Sequence, residues 1–375
     1  MKRTVLGLVL GLATPLFAAE GFTTGKPDIR SMSALAFGPE GVLFVGDSRS
    51  GAVFAVDLGT RPSVPVKDPK PVTDVEGKLA ALLGAKPSDV MVHDLAVDPV
   101  SKRPYLSVSR GRGAWNEQWL LANDVADATV LVRFDAAGTP EVVDLASVPF
   151  AKVVLPNPID ESKKLEWKKT SQRADAITDL GFADGALFVA GLSNEEFAAT
   201  MWKVAYPFKG PASMTTIENY HGAHGKYETE SPVRTFVPYP LKGKTHLLAA
   251  YLCTPLVTFE ASGLKDKQHV KGRTVGEFGS GNYPLDMVVY KKEGKQKLLI
   301  ANSNLPLMIV DPADVEAYQG SITEPVKTYT GGVAFQQRSG TGIQQMDNFG
   351  DEHIVVLRRL AGGQLDLTPL SVRRF

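Results

Sequence analysis

The chain reads as an all-β propeller of about six four-stranded blades, and three observations predict it. A module of short strands recurs along the sequence, apolar and polar residues alternate within each strand, and the copies fall at a mean step of about 60 residues. Such a unit cannot bury its apolar faces alone and must stack on its neighbours, so repetition at a fixed period marks a propeller.

The first copy runs Ser33-Ala34-Leu35-Ala36-Phe37, the turn Gly38-Pro39-Glu40-Gly41, Val42 to Val45, the loop Gly46 to Gly51, and Ala52 to Asp57. The second is His93 to Val97, Tyr105 to Val108 and Thr129 to Asp135; the third is Thr178 to Phe182, Ala186 to Ala190 and Met201 to Tyr206. A degenerate fourth copy takes Val233 to Tyr239, His246 to Tyr251 and Pro255 to Glu260. The fifth is Leu285 to Val289, Lys297 to Ala301 and Leu307 to Asp311, and the sixth Ile343 to Phe349 with His353 to Leu357. Turn residues between strands of period two fit antiparallel blades. Two stretches exceed what a connection needs: Pro62 to Asp89, with a predicted helix over Val75 to Leu83, and Thr139 to Asp175, with a Lys-rich loop over Glu161 to Lys169. Each leaves room for a seventh blade.

At the N-terminus, Met1-Lys2-Arg3 precedes an apolar run from Val5 to Phe17, and Ala18-Ala19 meets Glu20. That is the order of a secretory signal peptide, and the run is too short and too broken by Thr14-Pro15 to span a bilayer. The expected organisation is a leader over residues 1–19 and one propeller domain over 20–375, periplasmic or secreted and not membrane-spanning. Lys+Arg and Asp+Glu are equal at 41 each, so no global field draws in nucleic acid. Cys253 is the single cysteine, which excludes an internal disulfide framework and a Cys-x-x-Cys-His haem site.

In an antiparallel blade the start of the innermost strand and the end of the second strand lie at one end, so residues there converge on one mouth of the channel. The binding-face candidates are His93, Asp94, Arg110, Trp115, Asp179, Asn194, Asp286 and Asn302. Three carboxylates in matching positions, Asp94, Asp179 and Asp286, repel one another unless something offsets their charge. One solution is a hard, calcium-like divalent metal with Asn302 completing an oxygen shell. The other, which the turn chemistry favours, is that each aspartate accepts backbone N–H bonds as a structural clasp. His93 is the best acid–base candidate, but alternation sends it and Asp94 to opposite faces. The loop after Arg110 sets Arg112, Trp115 and Trp119 among glycines and suits a ligand platform or partner contact as well as its own packing. His221-x-x-His224 offers two imidazoles with no cysteine nearby in sequence, short of the three or four ligands a transition metal needs, and reads as a glycine loop. Cys253 reads as a small core thiol.

The segment Leu35-Ala36-Phe37-Gly38-Pro39-Glu40-Gly41-Val42-Leu43-Phe44-Val45-Gly46-Asp47-Ser48 resembles NHL-type, TolB-like and gluconolactonase-like propellers. The resemblance implies the fold and does not select a substrate. Gluconolactonase-like members are metal-dependent hydrolases with a glutamate on the first blade, where this chain has Ser33-Ala34; Asp179, Asn194, Asp286 and Asn302 are what remains of such an oxygen site. Quinone-dependent propellers carry tryptophan motifs in every blade, which four scattered Trp residues do not supply. The expectation is a binding or scaffold propeller acting on an exported protein or a small molecule through its mouth loops, with a metal-dependent hydrolase as the alternative.

Overall fold

The computed structural model describes residues 21–59, 69–110, 128–164 and 171–375. The leader, Trp115 and most of the Lys-rich loop fall outside them. Six sheets are present among the described residues, antiparallel except where Gln268–Lys271 pairs parallel with Ser213–His221, and their innermost strands are Leu35–Phe37, Val90–Val97, Asp179–Ala183, Thr235–Leu241, Pro284–Lys292 and Ile343–Phe349. These define blades 1 to 6 in chain order, as the repeat predicts. No described helix is long and apolar enough to cross a membrane.

The ring order differs from the chain order. Apolar clusters join blade 1 to blades 2 and 3, then blade 3 to 4, 4 to 5, 5 to 6, and 6 to 2. Blade 2 therefore sits between blades 1 and 6. The cause lies in the long stretch after blade 2. Pro140–Val142 supplies the fourth strand of blade 2, and Val148–Val154 then returns to blade 1 as its fourth strand, pairing with Ala52–Asp57. From there the chain enters blade 3 on the other side. Neither long stretch holds a seventh blade among the described residues.

The other stretch closes the ring. Val72 exchanges two backbone hydrogen bonds with Leu367, 2.8 and 2.9 Å, adding a short fourth edge to the three strands of blade 6. The helix Val75–Leu83 follows, at the predicted position. Asp74 caps it by accepting from the Gly77 N–H, and Val75 and Leu79 bury against blades 2 and 6. Glu76 on this helix binds Arg359 of blade 6 in a two-pronged contact of 2.6 and 2.9 Å.

Candidate functional site

The aspartates at the axis join blades. Asp94 Oδ1 accepts from the Leu95 N–H of its own strand and Oδ2 from the Leu35 N–H of blade 1. Asp179 binds Leu180 and, across the gap to blade 4, Phe236; Asp286 binds Met287 and, across to blade 6, Met346. A fourth member, Asp347, binds Asn348 and reaches Val97 of blade 2 at 2.6 Å. The rule is uniform: an aspartate accepts the next N–H in its own strand and the matching N–H of the neighbouring blade. The clasp expected within each blade is thus a clasp between blades. Asp347 escapes a comparison of repeat positions because it stands two residues beyond Gln345, which holds the place of Asp94, Asp179 and Asp286 in the sixth copy.

Two junctions lack an aspartate, since Ala34 and Thr235 hold the equivalent positions. Blade 1 instead meets blade 3 through Ser48 Oγ, which donates to the Ile177 carbonyl, and through Arg173, whose guanidinium binds the carbonyls of Ser48, Arg49 and Ile159. Blade 4 meets blade 5 through the Cys253 N–H on the Asn282 carbonyl, 2.8 Å.

All four axial carboxylates line a channel cavity of about 640 Å³ that runs toward Pro99, Lys102, Lys291 and Asp351, away from the strand starts. Burial raises every one of them. Asp94 is pushed well above the ordinary carboxylate range by burial and then by the charges of Asp179 and Asp347. Asp286 is raised likewise, with Asp94 and Asp179 adding to burial. Burial lifts Asp179 to about 7 and Asp347 to about 6, against the pull of their backbone donors. The upward direction follows from enclosure by six blades.

The remaining candidates have local partners. His93 is the extra residue of a β-bulge between Val92 and Asp94, so simple alternation does not govern it. Its Nε2 lies 2.8 Å from Ser109 Oγ, and burial lowers its pKa to about 4, so it stays neutral near pH 7. Asn194 ties the loop at Asn157, Pro158 and Asp160. Asn302 accepts from Asn282 and donates to the carbonyls of Ile300 and Pro306. Arg110 donates to the Leu83 carbonyl at the C-terminus of the helix, where a cation is favourable.

Two cavities open on the face formed by the ends of the second strands. One, about 800 Å³, lies between blades 1 and 2. Among the described residues, four cations, Lys26, Arg30, Arg49 and Arg110, line it with a single acid, Asp144. Its walls are otherwise largely apolar, including Ile29, Leu83, Val130, Leu131 and Leu145. Arg110 and Arg49 belong to the predicted mouth, whereas Arg30 and the apolar wall from Val142 to Ala146 come from connections that the repeat does not register.

The second cavity, about 680 Å³, is lined by His221, His224, Glu228, Cys253 and Tyr283 among others. The sequence reading of a glycine loop without a cysteine is corrected here. His221 ends the strand Ser213–His221, and a tight turn closed by Gly225 at φ +66° leads into Lys226–Glu228. Gly222 is required beside it, because a Cβ there would stand 2.6 Å from Val326 Cγ2. Folding brings up Cys253 from the end of blade 4's second strand, partly exposed and with φ of 60°, not buried as a core thiol.

No protein-family model and no curated protein matches the chain. Among solved structures, it is similar to a putative oxidoreductase (glucose dehydrogenase) from Thermus thermophilus, at 12% identity and TM-score 0.36, covering 93% of this chain and all of that one. It is also similar to Kuenenia stuttgartiensis hydrazine synthase, at 12% identity and TM-score 0.37 over 98% of this chain and all of the other. A third, described as glucose dehydrogenase, stands at 15% identity and TM-score 0.34 over 93% of this chain and all of its own. Likenesses this distant assign no activity, and the six-bladed propeller rests on the chain's own sheets.

Proposed function

We propose that the protein is an exported binding propeller, working outside the cytoplasm, which takes a ligand with an apolar body and an anionic group in the cavity between blades 1 and 2. The observation that carries this reading is the lining by the described residues: four cations against one acid, set around aliphatic walls, in a space of about 800 Å³. Ligand sites are commonly of that size, mostly apolar, with a few convergent polar groups. A carboxylate, sulfonate or phosphate would gain charge-assisted hydrogen bonds from the arginines, while a chain or ring would cover Leu83, Val130 and Leu131.

The oxygen-ligand hydrolase reading fits less well. Asp94, Asp179 and Asp286 each already accept two backbone N–H bonds, and Asn302 is held by Asn282, Ile300 and Pro306.

The fluorescent apolar anion 1-anilinonaphthalene-8-sulfonate tests the reading. Saturable binding at one site is expected, weakened by raised salt and at least about tenfold weaker in the Arg30→Ala/Arg49→Ala double variant, since losing one charged hydrogen bond costs roughly 1.5–3 kcal/mol. Binding that is equal in the double variant, or no saturable binding at all, sinks it.

A further inference from the structure

We infer that His221, His224 and Cys253 form a binding site for one transition-metal ion of the zinc class, with a fourth coordination position open to the cavity. A ring nitrogen of each histidine and the Cys253 sulfur lie within 4.8 Å of one another. Tetrahedral bonds of about 2.0 to 2.3 Å put ligand atoms roughly 3.5 Å apart, so the site must close by only about 1 Å on binding. The exposed turn carrying His224 allows that adjustment.

A second observation is independent of this spacing. His221 is 1% exposed, and its Nε2 is buried with no hydrogen-bond partner. An imidazole nitrogen left this way loses its water without compensation, unless something else occupies it. The opposite edges of both rings are turned to one carboxylate: Glu228 Oε1 lies 2.6 Å from His224 Nδ1, and Oε2 lies 3.0 Å from His221 Nδ1, the latter without hydrogen-bond geometry. A carboxylate behind Nδ1 fixes the tautomer that presents Nε2 as a lone pair, the usual outer support of a metal-bound histidine. Glu228 is therefore a positioning residue for the His224 imidazole, to which it is hydrogen-bonded, and lies beside that of His221.

Two nitrogens and a thiolate suit zinc and its neighbours and disfavour calcium or magnesium. Three protein ligands with one vacant position is the arrangement of a zinc ion that keeps a water or a substrate atom. His224 is 47% exposed, which gives the ion a path from solvent. The backbone holds the cysteine at its post: its N–H is bound to Asn282 and the next residue's Oγ1 to the Gly279 carbonyl. None of these residues belongs to the arginine-lined cavity, so this site stands or falls independently of the proposed ligand.

The test uses the mature protein without a histidine tag. Cobalt(II) titration is expected to give a thiolate-to-cobalt charge-transfer band that saturates at one equivalent; Cys253 is the only cysteine in the chain, so the band reports this site alone. Cys253→Ser should abolish the band, His224→Ala should weaken binding at least about 100-fold, and Glu228→Gln about 10- to 100-fold, with melting temperatures confirming folded variants. In parallel, equimolar zinc should slow maleimide alkylation of Cys253 in the wild type and not in His224→Ala. No band with one equivalent, or alkylation indifferent to zinc, overturns the site; so does a band that His224→Ala leaves unchanged.

Discussion

At the scale of single residues, the axial aspartates make stability depend on pH with a definite sign. Asp179 is held up to about 7 and Asp347 to about 6, and Asp94 and Asp286 are raised as well. The folded state keeps protons that the unfolded chain, with carboxylates near 3.9, gives up between about pH 4 and 7. Their contribution is fully present below the unfolded value and is lost as pH rises through the folded one. His93 acts in the opposite sense: burial holds it near 4, so the unfolded chain binds a proton below about 6.5 that the folded chain refuses, and stability is lost as pH falls through that window. Four carboxylates outweigh one imidazole. The melting temperature is expected to be a few degrees higher at pH 5 than at pH 8, and Asp179→Asn should flatten the difference. A higher melting temperature at pH 8 would mean that the ring is ionised at little cost. Asp94, Asp179 and Asp286 were legible in the sequence because they share a repeat position, whereas Asp347 and the bulge at His93 were not, since both depend on pairing register.

At the scale of elements, the sequence displays the inner three strands of the blades and conceals most of the fourth. Second strands are mostly buried on both faces and show as apolar runs, such as Ala186–Leu192, in which every residue is buried, while the innermost strands mix buried and half-buried residues along the channel. Outer strands are short and half exposed, as in Pro140–Val142 and Phe335–Arg338, and carry little pattern. Val148–Val154 has the pattern, but nothing local states that it belongs to blade 1. The fourth edge of blade 6 is concealed for the same reason, being a single two-bond bridge at Val72. Val72→Pro removes its N–H and leaves the Leu367 carbonyl without that donor, which should cost about 1–3 kcal/mol. Urea unfolding reads this as a lower midpoint at unchanged slope; an unchanged midpoint would show that the helix and its Glu76–Arg359 contact close the ring without the bridge.

At the scale of the whole molecule, six blades in the ring order 1-3-4-5-6-2 place the ends of all second strands on one face. That face carries the arginine-lined cavity on one side and the His221, His224 and Cys253 cluster on the other, both assembled from residues distant in sequence. The repeat identified the face by topology alone, because strand direction follows from antiparallel pairing. It could not identify the cavities, whose walls come from connections: Arg30 lies between the outermost strand of blade 1, Thr23–Gly25, and its innermost, Leu83 ends the inserted helix, and Leu145 lies between the outer strands of two blades. The cavity between blades 1 and 2 is proposed to receive an apolar anion. A crystal structure of the protein with decyl sulfate tests it most directly. A sulfate group beside Arg30 and Arg49 with the alkyl chain along Leu83, Val130 and Leu131 is the expected result; an empty cavity, or a ligand seated only in the axial channel or on an outer surface, rules the proposed site out.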